Sequence, residues 1–275
     1  RQQTKMQIGS RKTGLIEKPV LKAHRWPELA DSKTSPALAW MGRVLMPAYL
    51  RAVLSFRRIE IRNPERIVDE MIDLQEKRSR LIVAFRHPTG DDPQLMFHVF
   101  ENLVPRQAKK LKKPLLYRTH MRFVHDYAVG LWGGPVIRFF LPRVGALPVY
   151  HGTSDALSVS HIRGAMRDGL QPVGIASEGQ VSYHSETLPR IELGTARMGF
   201  WCVRDIESAG RSEEVRILPV SLHMQYDIRD KKKIAAALTR MERFCGMEAG
   251  ATSPSEQTLE ALAARTEVLD RKLLD

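Results

Sequence analysis

Six short runs suited to β-strands, separated by segments of helical character, restrict this chain to very few folds. The runs cover 58–62, 81–85, 115–118, 146–150, 172–176 and 215–222. Segment 58–62 alternates polar and apolar residues, as a half-exposed strand does. Segment 81–85 is apolar throughout, which suits a strand buried on both faces. Between the runs, 64–77 reads as a helix with Ile67, Met71, Ile72 and Leu74 on its apolar side. Segment 93–103 reads as a helix with Asp92 as its cap and Pro93 in its first turn. Segment 154–168 has Ser154 as a cap and Gly169 just past its end. Strands alternating with helices predict an α/β fold with a mixed, largely parallel central sheet flanked by helices. Towards the end, Ile234, Leu238 and Met241 share a helix face. Leu259, Leu262, Thr266, Leu269 and Leu273 form a second stripe, expected to pack on the domain, with a partner helix as the alternative.

Composition narrows the class of partner. Of 275 residues, 43% are hydrophobic and 27% charged, an ordinary globular balance that argues against disorder as the main state. Lys and Arg exceed Asp and Glu by 43 − 31 = 12, which favours anionic partners. Nucleic acid, an anionic membrane and a phosphorylated substrate all fit that charge. Cys202 and Cys245 make neither a metal-ligand spacing nor a disulfide framework, so a reducing, cytosolic setting is expected. Residues 1–36 read as a basic arm broken by Pro19, Pro27 and Pro36, without the apolar core of a signal peptide. Residues 37–56 are the most apolar stretch. Arg43 and Arg51 inside it, and Pro47 in its middle, oppose a membrane span. An N-terminal apolar pair of short helices joined at Pro47 is expected, lying on a membrane or packed on the domain.

Four segments at strand ends carry the candidate chemistry. Arg86-His87-Pro88-Thr89-Gly90-Asp91-Asp92 follows an apolar strand. An aspartate five residues after a histidine can fold back on it across a tight turn and fix its tautomer. A histidine so held can take a proton from a hydroxyl near neutral pH. Ser177-Glu178-Gly179 ends another strand, and Gly179 permits a sharp turn. The spacing from Gly174 does not make the G-x-S-x-G elbow of a hydrolase. Arg143 and His151 bracket a strand where an anionic ligand could sit, although a strand with a polar exit is the reading these residues favour by themselves. Pro219 within an apolar run marks an edge strand or a bulge.

In this order, the four segments resemble the blocks of the glycerolipid acyltransferase family, which includes glycerol-3-phosphate and 1-acylglycerol-3-phosphate acyltransferases. His87 to Asp92 is similar to its H-x4-D motif, residues 145–151 to its second block, Ser177-Glu178-Gly179 to its P-E-G block, and Pro219-Val220 to its final P-V block. The likeness covers about 58–222. It implies a membrane-contacting helical segment at 37–56 and an acyltransferase domain at 57–250, followed by a C-terminal helix at 251–275 that rests on the apolar stripe alone. It further implies that His87 and Asp92 are catalytic and that an acceptor hydroxyl attacks the thioester of acyl-CoA or acyl carrier protein directly, with no metal or other cofactor. Glu178, Gly179, Ser177, His151 and Arg143 would contact the acceptor. The implied setting is the cytoplasmic face of an anionic membrane, peripheral or monotopic, with no nucleic-acid partner. Three departures bear on the acceptor: His151 stands where the family has arginine, Ser177 where it has proline, and Gln180 where it has threonine. Histidine lacks the permanent charge and paired donors with which arginine grips phosphate.

Other functions stay open at this level. The altered blocks also fit a catalytically inactive lipid- or acyl-CoA-binding relative. Water in place of the acceptor would give a thioesterase or esterase. The charge alone motivates a nucleic-acid binder, but the basic residues are dispersed and no recognised module is present. The run Lys109-Lys110-Leu111-Lys112-Lys113 suits a solvated loop, or an anionic membrane or carrier. Segment 123–141 suits core, an acyl groove or a lipid contact.

Overall fold

The computed structural model describes residues 32–150, 156–225, 227–247 and 258–274. The basic arm falls almost wholly outside them, as do His151 and the expected cap Ser154. Five parallel strands form one sheet in the order β3-β2-β4-β1-β5. They are β1 (Ser79–Phe85), β2 (Arg122–Asp126), β3 (Leu147–Val149), β4 (Val173–Ala176) and β5 (Glu214–Val220). The α/β fold read from the sequence is therefore present, and the sheet is parallel throughout the described residues.

Strand β1 lies between β4 and β5 and is covered on both faces, which is why its sequence is apolar without alternation. Leu81, Val83 and Phe85 point into one core, shared with helix α2 (Pro64–Gln75) through Ile67, Val68, Met71 and Leu74. Ile82 points the other way, into a core built with Ile162 of α7 (Ala156–Asp168) and with Cys202 and Ile206 of α8 (Gly194–Ser208). Helix α8 has no counterpart in the sequence reading above. Burying each such Leu, Ile or Met contributes roughly 1.5–3 kcal/mol. Pro219 occupies the edge strand β5, a position that its missing N–H allows.

Several expectations need correction. Segment 58–62 is not a strand. Ile59 and Ile61 do pack on the core, but no neighbouring strand pairs with the segment. Segment 115–118 is irregular as well, and β2 begins only at Arg122. Its neighbour upstream is a longer rod than expected: α3 (Asp92–His98), a π-helical turn at Val99–Leu103 and α4 (Val104–Lys110) run on as one helix.

The expected helical pair at 37–56 is a single helix, α1 (Pro36–Ala52), that passes straight through Pro47. A proline at 47 leaves the carbonyl four residues earlier without its helical donor. That carbonyl belongs to Arg43, and Asn102 Nδ2 donates to it at 3.2 Å. Asn102 sits in the π-helical turn and also bonds His98 Nδ1 at 2.9 Å. The tertiary contact thus supplies the partner that proline denies, and the helix continues. Among the described residues, no helix is long and apolar enough to cross a membrane.

Helices α5 (Ala128–Trp132) and α6 (Gly134–Arg143) follow β2. Of the 123–141 stretch, Phe123 is core, whereas α6 has no buried residue and leaves Val136 and Phe139 in solvent. At the end of the chain, α9 (Lys231–Phe244) and α10 (Leu259–Leu274) pack on each other through Ala235, Leu238, Leu262 and Leu269. The final stripe therefore faces α9 rather than the sheet domain. Arg265 locks the pair with two bonds to Glu242, at 2.8 and 2.7 Å.

Candidate active site

In a parallel sheet every strand delivers its C-terminal loop to the same edge. Strand β1 ends at Phe85 directly opposite Ala176, where β4 ends. The residues that follow, Arg86-His87 and Ser177-Glu178, therefore leave the sheet side by side. Ser177 N–H donates to the Phe85 carbonyl at 3.2 Å, and Ser182 N–H to the His87 carbonyl at 2.9 Å. Those bonds join two segments about ninety residues apart in the chain.

The turn after His87 closes as its spacing suggests. His87 Nδ1 lies 3.1 Å from Asp92 Oδ2. Thr89 donates its N–H to the same oxygen at 2.8 Å and its hydroxyl to Oδ1 at 3.0 Å. Asp92 is not the helix cap; it is the first residue of α3, and the cap position is Asp91. Its carboxylate instead organises the turn behind it. The Asp92 side chain is 0% exposed and that of His87 17%. A buried carboxylate accepts and cannot donate, so the bond assigns the proton of neutral His87 to Nδ1. Nε2 then carries the lone pair, and no side chain among the described residues bonds to it. The ring packs edge-on to Phe85, with centroids 6.4 Å apart.

Glu178 is buried beside this turn, with Oε1 accepting from Arg86 Nε at 2.6 Å. Burial is the largest single influence and opposes its charge, but hydrogen bonds from Arg86, Ser182 and the His87 backbone, with the Arg86 charge, together hold the carboxyl below its ordinary value. Arg86 also donates to the carbonyls of Ser185, His184 and Thr187, at 2.9, 3.1 and 2.8 Å. One side chain thereby ties the segment after β4 to the tip of β1. Nothing local to Arg86 in the sequence gives it this role; a charge directly after one apolar strand, with a lone glutamate after another, is the signal that could pair them.

Gly179 adopts φ +71°, and a Cβ there would meet Glu192 Cγ at 3.0 Å, so the turn is reserved for glycine. The Ser177 hydroxyl accepts from Thr195 at 3.4 Å and is engaged away from the His87 ring. Ser182 Oγ bonds the carbonyls of His87 and His184, again not the ring. Cys202 is buried in α8, and burial pushes its thiol up to about 11. No serine or cysteine side chain among the described residues is hydrogen-bonded to the imidazole as a nucleophile would be.

Arg143 is not brought to this edge. It ends α6, before β3, and so stands at the opposite edge of the sheet from His87. Its guanidinium covers the Phe139 ring at 3.9 Å and bonds the Phe139 carbonyl at 2.9 Å. His151 lies outside the described residues. Among the described residues no group of three or more His, Cys, Asp or Glu could hold a metal ion. A cleft of about 770 Å³ runs along α9 and another of about 670 Å³ lies between α1 and α4; neither is lined by His87. No family model matches this sequence, and no curated protein matches it.

Proposed function

We propose that the protein is an O-acyltransferase that moves a fatty acyl group from acyl-CoA or acyl carrier protein to a hydroxyl of a glycerolipid acceptor. The observation that carries this reading is the His87–Asp92 pair, with Nδ1 tied to a buried carboxylate and Nε2 open. A base in that state removes a proton from a hydroxyl. With no protein nucleophile bonded to the ring among the described residues, the hydroxyl belongs to the substrate. It attacks the thioester carbonyl as its proton passes to Nε2. The tetrahedral intermediate then collapses, the C–S bond breaks and the thiolate leaves. The imidazolium formed on the way is stabilised by Asp92, and its proton can return to the departing sulfur.

The ordered likeness of four segments to glycerolipid acyltransferases supports the same chemistry. The separation of Arg143 from His87 removes one expected acceptor contact. Glu178, beside His87, stays a candidate for holding the acceptor end, whereas Arg86 is engaged by Glu178 and three carbonyls. The exposed apolar residues of α1, Trp40, Val44 and Leu45, support a peripheral membrane setting. The test is an acceptor screen with labelled acyl-CoA, run beside His87→Ala. Transfer to a lysolipid or glycerol phosphate should fall by roughly 10²-fold or more in the variant. Undiminished transfer would remove His87 from the base role.

A further inference from the structure

Away from His87, five basic side chains converge on one cleft. Arg43 of α1, Arg106 and Lys109 of α4, and Lys113 and Arg118 beyond it line an open volume of about 670 Å³. Lys113 is neutralised by Asp69, 2.5 Å away. Arg43, Arg106, Lys109 and Arg118 have no acidic partner among the described residues. Arg43 Nη1 is sealed from solvent and bonds nothing there. A guanidinium nitrogen stripped of water without an acceptor is a costly arrangement, and an anion in the cleft would relieve it.

The one acidic residue lining the cleft, Glu101, does not cancel this charge. Its Oε1 is 2.6 Å from His120 Nδ1, and His120 Nε2 is 2.8 Å from the Val144 carbonyl. A carbonyl only accepts, so Nε2 bears a hydrogen. The remaining bond then needs a proton on either Nδ1 or Glu101. Whichever holds it, the pair is neutral overall. Four cations without an acidic partner among the described residues therefore line the cleft, where Glu101 Oε2 is likewise buried and unbonded.

Position separates this cleft from the acyl-transfer site. The rod that starts at Asp92 carries the chain roughly 14 Å from the His87 turn to Glu101, the near wall of the cleft, and roughly 25 Å to Lys109, its far wall, at 1.5 Å per residue. The outer face of α1 beside the cleft exposes Trp40 and Val44, at 58% and 53%. A basic cleft flanked by an apolar helix face suits a phosphate at a lipid surface better than one free in solution.

We propose that the cleft is a phosphate-binding site, separate from the His87 site, that takes the phosphate of an anionic phospholipid. Inorganic phosphate presents the same chemistry, so both sources are tested on the full chain. Binding is measured by titration with inorganic phosphate, and by flotation with phosphatidylcholine vesicles with and without phosphatidic acid. Arg106→Gln/Lys109→Gln removes two exposed charges of the cleft, and Lys232→Gln/Arg240→Gln removes two from α9 as a control. Binding to phosphatidic acid vesicles should weaken roughly tenfold or more in the cleft variant and stay within about twofold in the control. The same pattern with free phosphate and not with vesicles would keep the site and move its source to solution. Equal weakening in both variants, or no binding of either probe by the unmodified chain, would overturn the proposal. Acyl transfer measured with short-chain soluble substrates should be unaffected by Arg106→Gln/Lys109→Gln, so this site and the reading of His87 fail separately.

Discussion

Asp92→Asn separates what the Asp92 carboxylate does for the turn from what it does for His87. In the folded protein Oδ2 takes two donors, Thr89 N–H and His87 Nδ1–H, and Oδ1 takes the Thr89 hydroxyl. An asparagine can place its oxygen where Oδ2 stands. Its amide then faces the Thr89 hydroxyl, which can turn its hydrogen away and accept. Each hydrogen bond survives and only the charge is lost, so stability should change by less than about 1 kcal/mol. Catalysis depends on the charge, because His87 becomes an imidazolium during the reaction. Turning the bond to the imidazolium from a charge-assisted one into a neutral one forfeits at most the ~1.5–3 kcal/mol that a bond to a charged group contributes. At about 1.4 kcal/mol per factor of ten, kcat should fall by at most roughly 10- to 150-fold with KM little changed. Asp92→Ala differs, since three donors lose their acceptor, of which the Thr89 hydroxyl can turn elsewhere while the two N–H groups cost about 1–3 kcal/mol each. Water can reach the half-buried Thr89 and His87, so a loss of about 2–3 kcal/mol is expected. Urea denaturation followed by circular dichroism gives the stabilities, and steady-state transfer from labelled acyl-CoA gives kcat and KM. If Asp92→Asn transfers acyl groups at the unmodified rate, the charge is irrelevant and the catalytic pairing is wrong.

Arg86→Ala strips Glu178 of its counter-charge and three carbonyls of their donor. Breaking such a pair from one side should cost about 3–5 kcal/mol and expose the 177–193 segment to limited proteolysis; unchanged protease resistance would contradict the tie. Gly179→Ala forces a side chain to φ +71° against Glu192, and should lower the denaturation midpoint by an amount equivalent to about 1–2 kcal/mol. Asn102→Ala leaves the Arg43 carbonyl without its donor. Hydrogen exchange at residues 44–52 should then quicken, and protection equal to the unmodified chain would mean that α1 passes Pro47 without that support. Glu213 is held down to about 2 from 4.5, chiefly by Arg211 and also by Arg80. A depressed carboxyl stabilises the fold above its unfolded value, so that contribution is complete above about pH 4.5 and is lost as pH falls towards 2. Glu213→Gln should flatten the stability curve across that window, as followed by acid titration of the fluorescence transition.

Local sequence determined what local geometry can decide. The five-residue step from His87 to Asp92 spans one turn, so the pairing needed no knowledge of the rest of the fold. Buried strands declare themselves by apolar content, which is why β1 and β4 were legible and why α/β layering followed. Segment 58–62 had the right alternation, yet a strand also needs a neighbour with free hydrogen-bonding groups, and only the sheet order decides that. Proline 47 forecast a break, and the break is absent because Asn102, 55 residues away in the chain, satisfies the carbonyl that proline orphans. Arg143 and His151 bracket a strand in the sequence, which suggests an anion site. Arg143, however, precedes β3, and in a parallel sheet the residues before a strand lie at the opposite edge from the His87 turn. The joining of Glu178 to His87 rests on β4 pairing with β1 in a register that ends both strands level, a non-local choice made by packing on both faces of the sheet. Side-chain chemistry was readable along the chain because it is carried by residue type; its convergence was decided by the tertiary structure, because distance in space follows strand order and register and not distance in sequence.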